Sequence, residues 1–338
     1  MGVRFCLIGT GRAGLVHARG LCHRIKTGEL VALCDENAGA LAKASEELGV
    51  ATRVTDYRKA CSLPEVDAVI IATTTHTHRD IACEAAYNGK HVFLEKPMAG
   101  TVDECKEINA AVEKAGVRLQ LGYVRRFDVG FLQAKAILDS GEMGRVMIIK
   151  SHSRGPGLPP PWIYDTAKSN GILAEVNSHD FDSARWLAGS DIWRVYTEAA
   201  NFKCLDVKNE WPTFYDNAVV SLRFHDGTLG TIDGTCPCGY GYDARVEILC
   251  EKGVLQIGHI EARGATEVRL DGTVRSRTEQ SWRTLFKDAY IDEMEHFIQS
   301  ILENKTPRVT GIDGLKAVES CTAANRSFFE QRPVTIGE

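Results

Sequence analysis

Over the first third of the chain, short apolar runs alternate with amphipathic stretches. Residues 5–8, 30–34, 68–72 and 92–94 are near-continuously apolar, the pattern of strands covered on both faces of a parallel sheet. Helical stripes lie between them. Leu15, Val16, Ala18, Leu21, Cys22 and Ile25 form one, and Ile81, Ala82, Ala85 and Ala86 form another, closed by Gly89. A third helix opens on the capping-box pattern Thr101-Val102-Asp103-Glu104 and stops at Gly116. Strand–helix alternation of this kind predicts a doubly wound α/β domain over residues 1–121. Residues 122–338 read differently. Helices are expected over 128–140, 178–187 and 285–302, and strands over 145–153, 193–199, 218–224, 229–234, 244–250, 254–257 and 267–270. A Gly/Pro loop falls at 155–161, and turn signals at His225-Asp226-Gly227-Thr228 and Glu251-Lys252-Gly253 separate strands with no helix between them. That grouping predicts an α+β domain with a large, mostly antiparallel sheet.

The totals agree with two domains: 338 residues, 44% hydrophobic and 25% charged. The balance of 45 acidic against 40 basic residues, net −5, and the lack of a basic run argue against a nucleic-acid partner. The eleven cysteines are scattered. Cys6, Cys34 and Cys250 fall in apolar strands, where a thiol is a small buried hydrophobe, and Cys236-Pro-Cys238 lacks the second pair a zinc site needs, so no metal is expected. No apolar window approaches the roughly 18 residues of a membrane span, and no secretory leader precedes the first strand. A cytoplasmic protein with reduced thiols is the expectation.

Gly9-Thr10-Gly11-Arg12-Ala13-Gly14 is G-x-G-x-x-G between a strand and a helix. The first glycine suits a tight turn, the second lets backbone approach a pyrophosphate, and the third lets helix and strand pack closely. The N–H groups of the helix N-terminus face the anion. Asp35 ends the second strand, where a carboxylate accepts hydrogen bonds from a ribose diol and repels a 2′-phosphate. These features predict NAD as cofactor, with Gly9, Thr10, Gly11, Arg12, Ala13 and Asp35 in contact. Glu95-Lys96-Pro97 closes the strand at 92–94, on the sheet edge where ligands bind. An ammonium there can stabilise a developing alkoxide, although the pair alone is equally an ordinary ion pair. Glu175 and His179 are four residues apart and share a face if the segment is one helix. A carboxylate beside an imidazole makes a base suited to alcohol oxidation near neutral pH; the bland alternative is a surface ion pair.

A dinucleotide fingerprint, then Glu-Lys-Pro, then a sheet-rich second half resembles the glucose-fructose oxidoreductase / inositol dehydrogenase / MocA family over essentially the whole chain. The resemblance implies an N-terminal Rossmann domain that binds NAD and a C-terminal α+β domain that binds substrate and oligomerises. It implies that Lys96 touches both nicotinamide and substrate, that His179 is the general base assisted by Glu175, and that Thr73, Thr74, His78 and Glu95 lie on the nicotinamide side. The family usually carries aspartate where this chain has Glu175, and glycines are frequent where it has Asn170 and Asn177. Three segments resemble the inositol dehydrogenase branch: Arg125-Arg126-Phe127-Asp128, residues 152–161, and Tyr240-Gly241-Tyr242-Asp243-Ala244-Arg245. By that likeness Arg126, Arg154, Trp162, Val176 and Tyr240 join Lys96, Glu175 and His179 at a polyol. Arg126 is equally readable as a structural ion pair, and Tyr240 and Trp162 as rim packing. The expected reaction is NAD-dependent oxidation of a ring alcohol of myo- or scyllo-inositol, or of a sugar-like polyol, by a homo-oligomer (dimer or tetramer). The alternatives are a sugar or glycoside dehydrogenase giving a 3-keto product, a glycoside-cleaving enzyme that oxidises transiently, and a non-catalytic NAD sensor.

Overall fold

The computed structural model describes residues 2–262 and 264–338. Contacts divide the chain into two compact units, one running to Phe127 and taking in Asp288–Val318, the other formed by Asp128–Lys287 and Glu319–Glu338. The first unit thus runs past Leu121, where the pattern of the sequence placed its end, and includes a segment from far down the chain.

The first unit alternates β1 (Val3–Ile8), α1 (Arg12–His23), β2 (Gly28–Cys34), α2 (Ala38–Leu48), β3 (Thr52–Val54), α3 (Tyr57–Cys61), β4 (Ala68–Ile71), α4 (His78–Tyr87), β5 (His91–Leu94), α5 (Val102–Ala115) and β6 (Leu119–Leu121). The six strands are parallel in the order β3-β2-β1-β4-β5-β6, the doubly wound order expected. Phe5, Leu7, Leu33, Ile70 and Phe93 are completely buried because helices cover both faces. The expected cap is present: Thr101 accepts from Glu104 N–H, Glu104 reaches back to the Thr101 N–H, and α5 stops at Gly116 in the left-handed conformation.

The rest of the chain forms α6 (Val129–Ser140), β7 (Val146–Arg154), α7 (Thr166–Ser169), α8 (Gly171–Glu175), α9 (Ser178–Ala188), β8 (Ile192–Ala200), α10 (Val207–Glu210), β9 (Asn217–Phe224), β10 (Leu229–Thr235), β11 (Asp243–Cys250), β12 (Gly253–Ile257), β13 (Glu267–Val268), β14 (Val274–Arg275), α11 (Trp282–Leu285), α12 (Lys287–Leu302), α13 (Gly311–Glu330) and β15 (Val334–Thr335). Seven strands make one sheet in the order β12-β11-β7-β10-β9-β8-β15, antiparallel except where β10 meets β7. The strand expected over 267–270 is shorter and lies outside that sheet, paired with β14 in a separate hairpin.

Burial alternates along the large sheet. Ala218, Val220, Leu222 and Phe224 of β9 are buried, whereas Val219 between them is exposed. Ser151 and Ser153 of β7 bond to Asp180 of α9, so the odd positions of β7 face the helix. The even positions, His152 and Arg154 among them, face the other way.

The helix expected over 285–302 forms α12, and its apolar stripe packs under the parallel sheet. Met294, Phe297 and Ile298 are fully buried in one core cluster with Phe5, Leu7, Ile70 and Phe93. The Phe93 and Phe297 rings meet edge-on with centroids 5.8 Å apart.

Candidate active site

Each glycine of the fingerprint does a separate job. Gly9 has φ +98, and a Cβ there would lie 2.5 Å from the Ala72 carbonyl oxygen, so only glycine permits this turn against the end of β4. A Cβ on Gly14 would lie 2.1 Å from the Gly9 carbonyl oxygen, so only a glycine lets α1 and β1 pack this closely. At Gly11, the N-cap of α1, a Cβ would meet no described atom within 4 Å. The first turn of α1 carries no acidic side chain, so its N–H groups stay available to an external anion. Arg12 beside them is exposed.

Asp35 follows β2, half-buried, and its carboxylate also holds the loop. Oδ2 accepts from Thr10 N–H and Thr10 Oγ1–H, both at 2.7 Å, and Oδ1 accepts from Asn37 N–H at 2.9 Å. The acid that would meet a ribose therefore also fixes the turn that would meet a pyrophosphate. Open backbone at Gly11, an uncompensated helix start and a fixed carboxylate fit a dinucleotide with a free ribose diol.

Lys96 lies half-buried just beyond β5, and the Lys96–Pro97 peptide is cis. Its neighbours are anchored from two sides. Glu95, 7% exposed, accepts from His17 Nε2–H at 2.7 Å and from the Lys96 N–H at 3.1 Å. Burial alone would push the Glu95 carboxyl up; the His17 hydrogen bond and the Lys96 charge outweigh it and hold the carboxyl below its usual range. His78 is buried, with Nδ1 2.8 Å from the Pro97 carbonyl oxygen and Nε2 3.3 Å from that of Thr73. Burial pushes its imidazole below the ordinary value. Glu95 and His78, both expected at the cofactor, thus direct their side chains into protein instead. Thr73 and Thr74 stay half-buried in the loop after β4, where Thr73 Oγ1 accepts from Thr77 Oγ1–H. Arg126 is 3% exposed, and its Nη2 pairs with Asp313 at 3.0 Å, the structural alternative.

The second unit holds the acid–base candidates. Glu175 ends α8 and His179 lies in the first turn of α9, with Val176 and Asn177 forming a turn between. The four-residue spacing therefore spans a junction between two helices and not one helical face. Glu175, Val176 and His179 are each half-buried. Asn170 is left-handed at φ +56 and Gly171 at φ +66, which explains how asparagine serves where glycine is frequent. Asn325 Nδ2 donates to the Asn170 carbonyl at 3.0 Å, Tyr215 OH donates to Asn325 Oδ1, and Cys321 Sγ lies 3.3 Å from the Leu173 carbonyl oxygen. These contacts tie α8, and Glu175 at its end, to α13.

Asp180 fixes the start of α9. Its carboxylate is fully buried and accepts from Ser151 Oγ at 2.5 Å, Ser153 Oγ at 2.6 Å and Asn177 Nδ2 at 2.9 Å. Asn177 also bonds the Asp233 carbonyl, over Gly234, where a Cβ would lie 1.9 Å from Asn177 Oδ1. His179 directly precedes the stapled Asp180 in the first turn of α9.

Arg154 and Tyr240 are not brought to these groups. Arg154 points from the opposite face of the sheet, with Nε and Nη2 on Asp233 at 2.8 and 2.9 Å and Nη1 3.3 Å from Tyr240 OH. Tyr240 donates to Asp243 at 2.7 Å. Burial would push Asp243 up, but Arg245, Tyr240 and His152 draw it well below the carboxylate range. Trp162, 37% exposed, lies on the short turn Pro161–Ile163. Among the described residues no group of three or more His, Cys, Asp or Glu is gathered as a metal would need.

Residues 3–123 match the model of an oxidoreductase family with an NAD-binding Rossmann fold, and residues 131–256 match the GFO/IDH/MocA C-terminal domain. The chain belongs to the GFO/IDH/MocA oxidoreductase family. It is 33% identical to the scyllo-inositol 2-dehydrogenase (NAD(+)) of Bacillus subtilis over 99% of this chain and 96% of the relative. It is 32% identical to the myo-inositol 2-dehydrogenase of Thermotoga maritima over 99% of each. The scyllo-inositol dehydrogenase of Lactobacillus casei, solved with bound NAD(H) and scyllo-inositol, superposes with a TM-score of 0.93 at 25% identity over all of both chains. As a GFO/IDH/MocA member, the chain is an NAD-dependent oxidoreductase.

Sequence reasoning missed the groups bonded near the candidate residues: His17, Asp180 with its two serines, and Asn325. Only Asp180 carried a signal, as a carboxylate in the first turn of a helix.

Proposed function

We propose that this chain oxidises a ring secondary alcohol of an inositol, myo- or scyllo-, to the ketone. The observation that carries the reading is likeness along nearly the full length to NAD-dependent inositol 2-dehydrogenases, in a chain that has Lys96 and His179, with Glu175 where the family usually carries aspartate. Bound NAD supplies the hydride acceptor. The Lys96 ammonium donates a hydrogen bond to the reacting hydroxyl and stabilises negative charge as it grows on that oxygen. His179 takes the hydroxyl proton as the hydride leaves the same carbon, so C–H and O–H are broken and C=O is formed. Glu175 orients the imidazole and stabilises the imidazolium. The α1 N-terminus, Gly11 and Asp35 hold the dinucleotide, and the negative charge of Asp35 favours NAD over NADP.

The first unit is the nucleotide domain in this reading, and the second carries substrate and oligomer contacts. The open face of the large sheet supports self-association: Val219, Leu229 and Leu249 are 54%, 44% and 38% exposed on it. A cytoplasmic location is supported by buried thiols, such as Cys34, which burial pushes up to about 12. Among the described residues no helix is long and apolar enough to cross a membrane.

The test is NADH absorbance on a panel of inositol isomers and aldoses, with NAD and NADP in parallel. NADH from one inositol, and little from NADP, is expected. Reduction only with aldoses, or none with any free ring while NAD stays tightly bound, contradicts the reading.

A further inference from the structure

The buried pair of His17 and Glu95 calls for an explanation that packing does not give. His17 lies on α1 and is 1% exposed, enclosed by the Phe93 ring at 4.7 Å and the Tyr290 ring at 5.4 Å, both edge-on. An aromatic residue would fill that box without a polar atom. Instead an imidazole reaches across to a carboxylate that has itself been withdrawn from water, an arrangement that gains little stability over apolar packing. The other oxygen of that carboxylate accepts the backbone N–H of Lys96. Gly122 leaves room for it: a Cβ there would lie 3.1 Å from the Glu95 carboxyl carbon and from Oε2.

We propose that His17 is a positioning residue for Lys96, acting through Glu95. The imidazole fixes one carboxylate oxygen, the rigid carboxylate aims the other at the Lys96 N–H, and the backbone from which the ammonium extends is held before any ligand arrives. On the far side the Pro97 carbonyl is fixed by His78. Lys96 is thus pinned on both flanks while its side chain stays half-buried. A carboxylate accepts only, so the contact requires N–H on His17 Nε2. Displacing a reacting group by about an ångström costs on the order of a hundredfold in rate, so such a clamp has kinetic consequences. This inference rests on the role given to Lys96 in the reading above, and its test separates the two.

His17→Phe keeps the ring volume against Phe93 and Tyr290 and removes the donor. His17→Gln restores an N–H at a position equivalent to Nε2. Hydrogen–deuterium exchange of the Lys96 amide in the NAD-free protein reads the tie directly, and steady-state kinetics with inositol, together with NAD affinity by fluorescence titration, read its consequence. His17→Phe is expected to exchange the Lys96 amide faster, with kcat down by about a hundredfold and NAD affinity within about twofold. His17→Gln is expected to restore both exchange and kcat. Faster exchange with unchanged kcat, or the same loss of kcat in His17→Gln as in His17→Phe, overturns the proposal. If His17→Phe does not fold, Glu95→Asp carries the test: its carboxylate is drawn back by one methylene, and unchanged kcat there overturns the proposal equally. A wild-type protein that makes no NADH from any inositol contradicts the functional reading instead, and leaves the exchange comparison able to decide whether His17 holds Lys96.

Discussion

Individual residues divide by whether their role is local or reaches across the chain. The three fingerprint glycines were readable because each requirement is met within a few residues: a positive φ at Gly9, open space at Gly11, close packing at Gly14. Asp35 was readable as a ribose ligand, but its second task of pinning Thr10 and Asn37 was not. The family resemblance puts Glu95 and His78 on the nicotinamide side. Their side chains turn inward, since a buried carboxylate and a buried imidazole each found protein partners. Arg126 likewise follows the structural alternative, through Asp313. At this scale the proposed roles of Lys96 and His179 predict the effects of removing each side chain. His179→Ala and Lys96→Ala should each lower kcat with inositol by about 10²–10⁴-fold, the range for a positioned acid–base or electrostatic group. NAD affinity, read by fluorescence titration, should change by about twofold or less in His179→Ala. A His179→Ala enzyme with undiminished turnover would remove the proposed base.

Elements were legible where their period was long and their boundaries carried chemical signals. The α5 capping box and its closing Gly116 are both present. The four-residue spacing of Glu175 and His179 concealed a break, because periodicity cannot show that the chain turns at Val176 and Asn177. What makes the turn is tertiary: Asn177 is drawn to Asp180 and to the Asp233 carbonyl beside a glycine that leaves it room. The two-residue β15 and the three-residue β3 and β6 are too short for any pattern to reveal. The pattern over 285–302 predicts the helix but not its packing partner, since an apolar stripe does not say which sheet it covers. Phe297→Ala should therefore destabilise the nucleotide-binding unit, by about 3–5 kcal/mol for a large aromatic side chain removed from a closed core. Denaturant unfolding followed by loss of NAD binding would read this. An effect confined to the second unit, with NAD binding unaltered, would contradict the packing of α12.

At the scale of the molecule, protonation couples to stability through residues outside the chemistry. His78, His91 and His296, all of the first unit, are pushed below their ordinary value chiefly by burial. The unfolded chain takes up protons at these positions below about pH 6.5, where the folded chain does not. Their contribution is thus fully present above that pH and is lost as pH falls toward the lowered folded values. Glu95, Asp216 and Asp243 are held below the usual carboxylate range, so they add a further loss only at more acidic pH. Melting of the first unit should be level from about pH 8 to 7 and fall from about pH 6.5 downward. A melting temperature that rises on acidification through that window would contradict the burial of these histidines.

The most direct test of the central claim follows the hydride. Scyllo-inositol deuterated at every ring carbon, incubated with the purified enzyme and NAD, should give reduced nicotinamide carrying one deuterium and an equal amount of inosose, with almost none of either from His179→Ala. Reduced cofactor without deuterium, or a ring recovered unoxidised while NAD stays bound, would contradict net oxidation of an inositol by this chain.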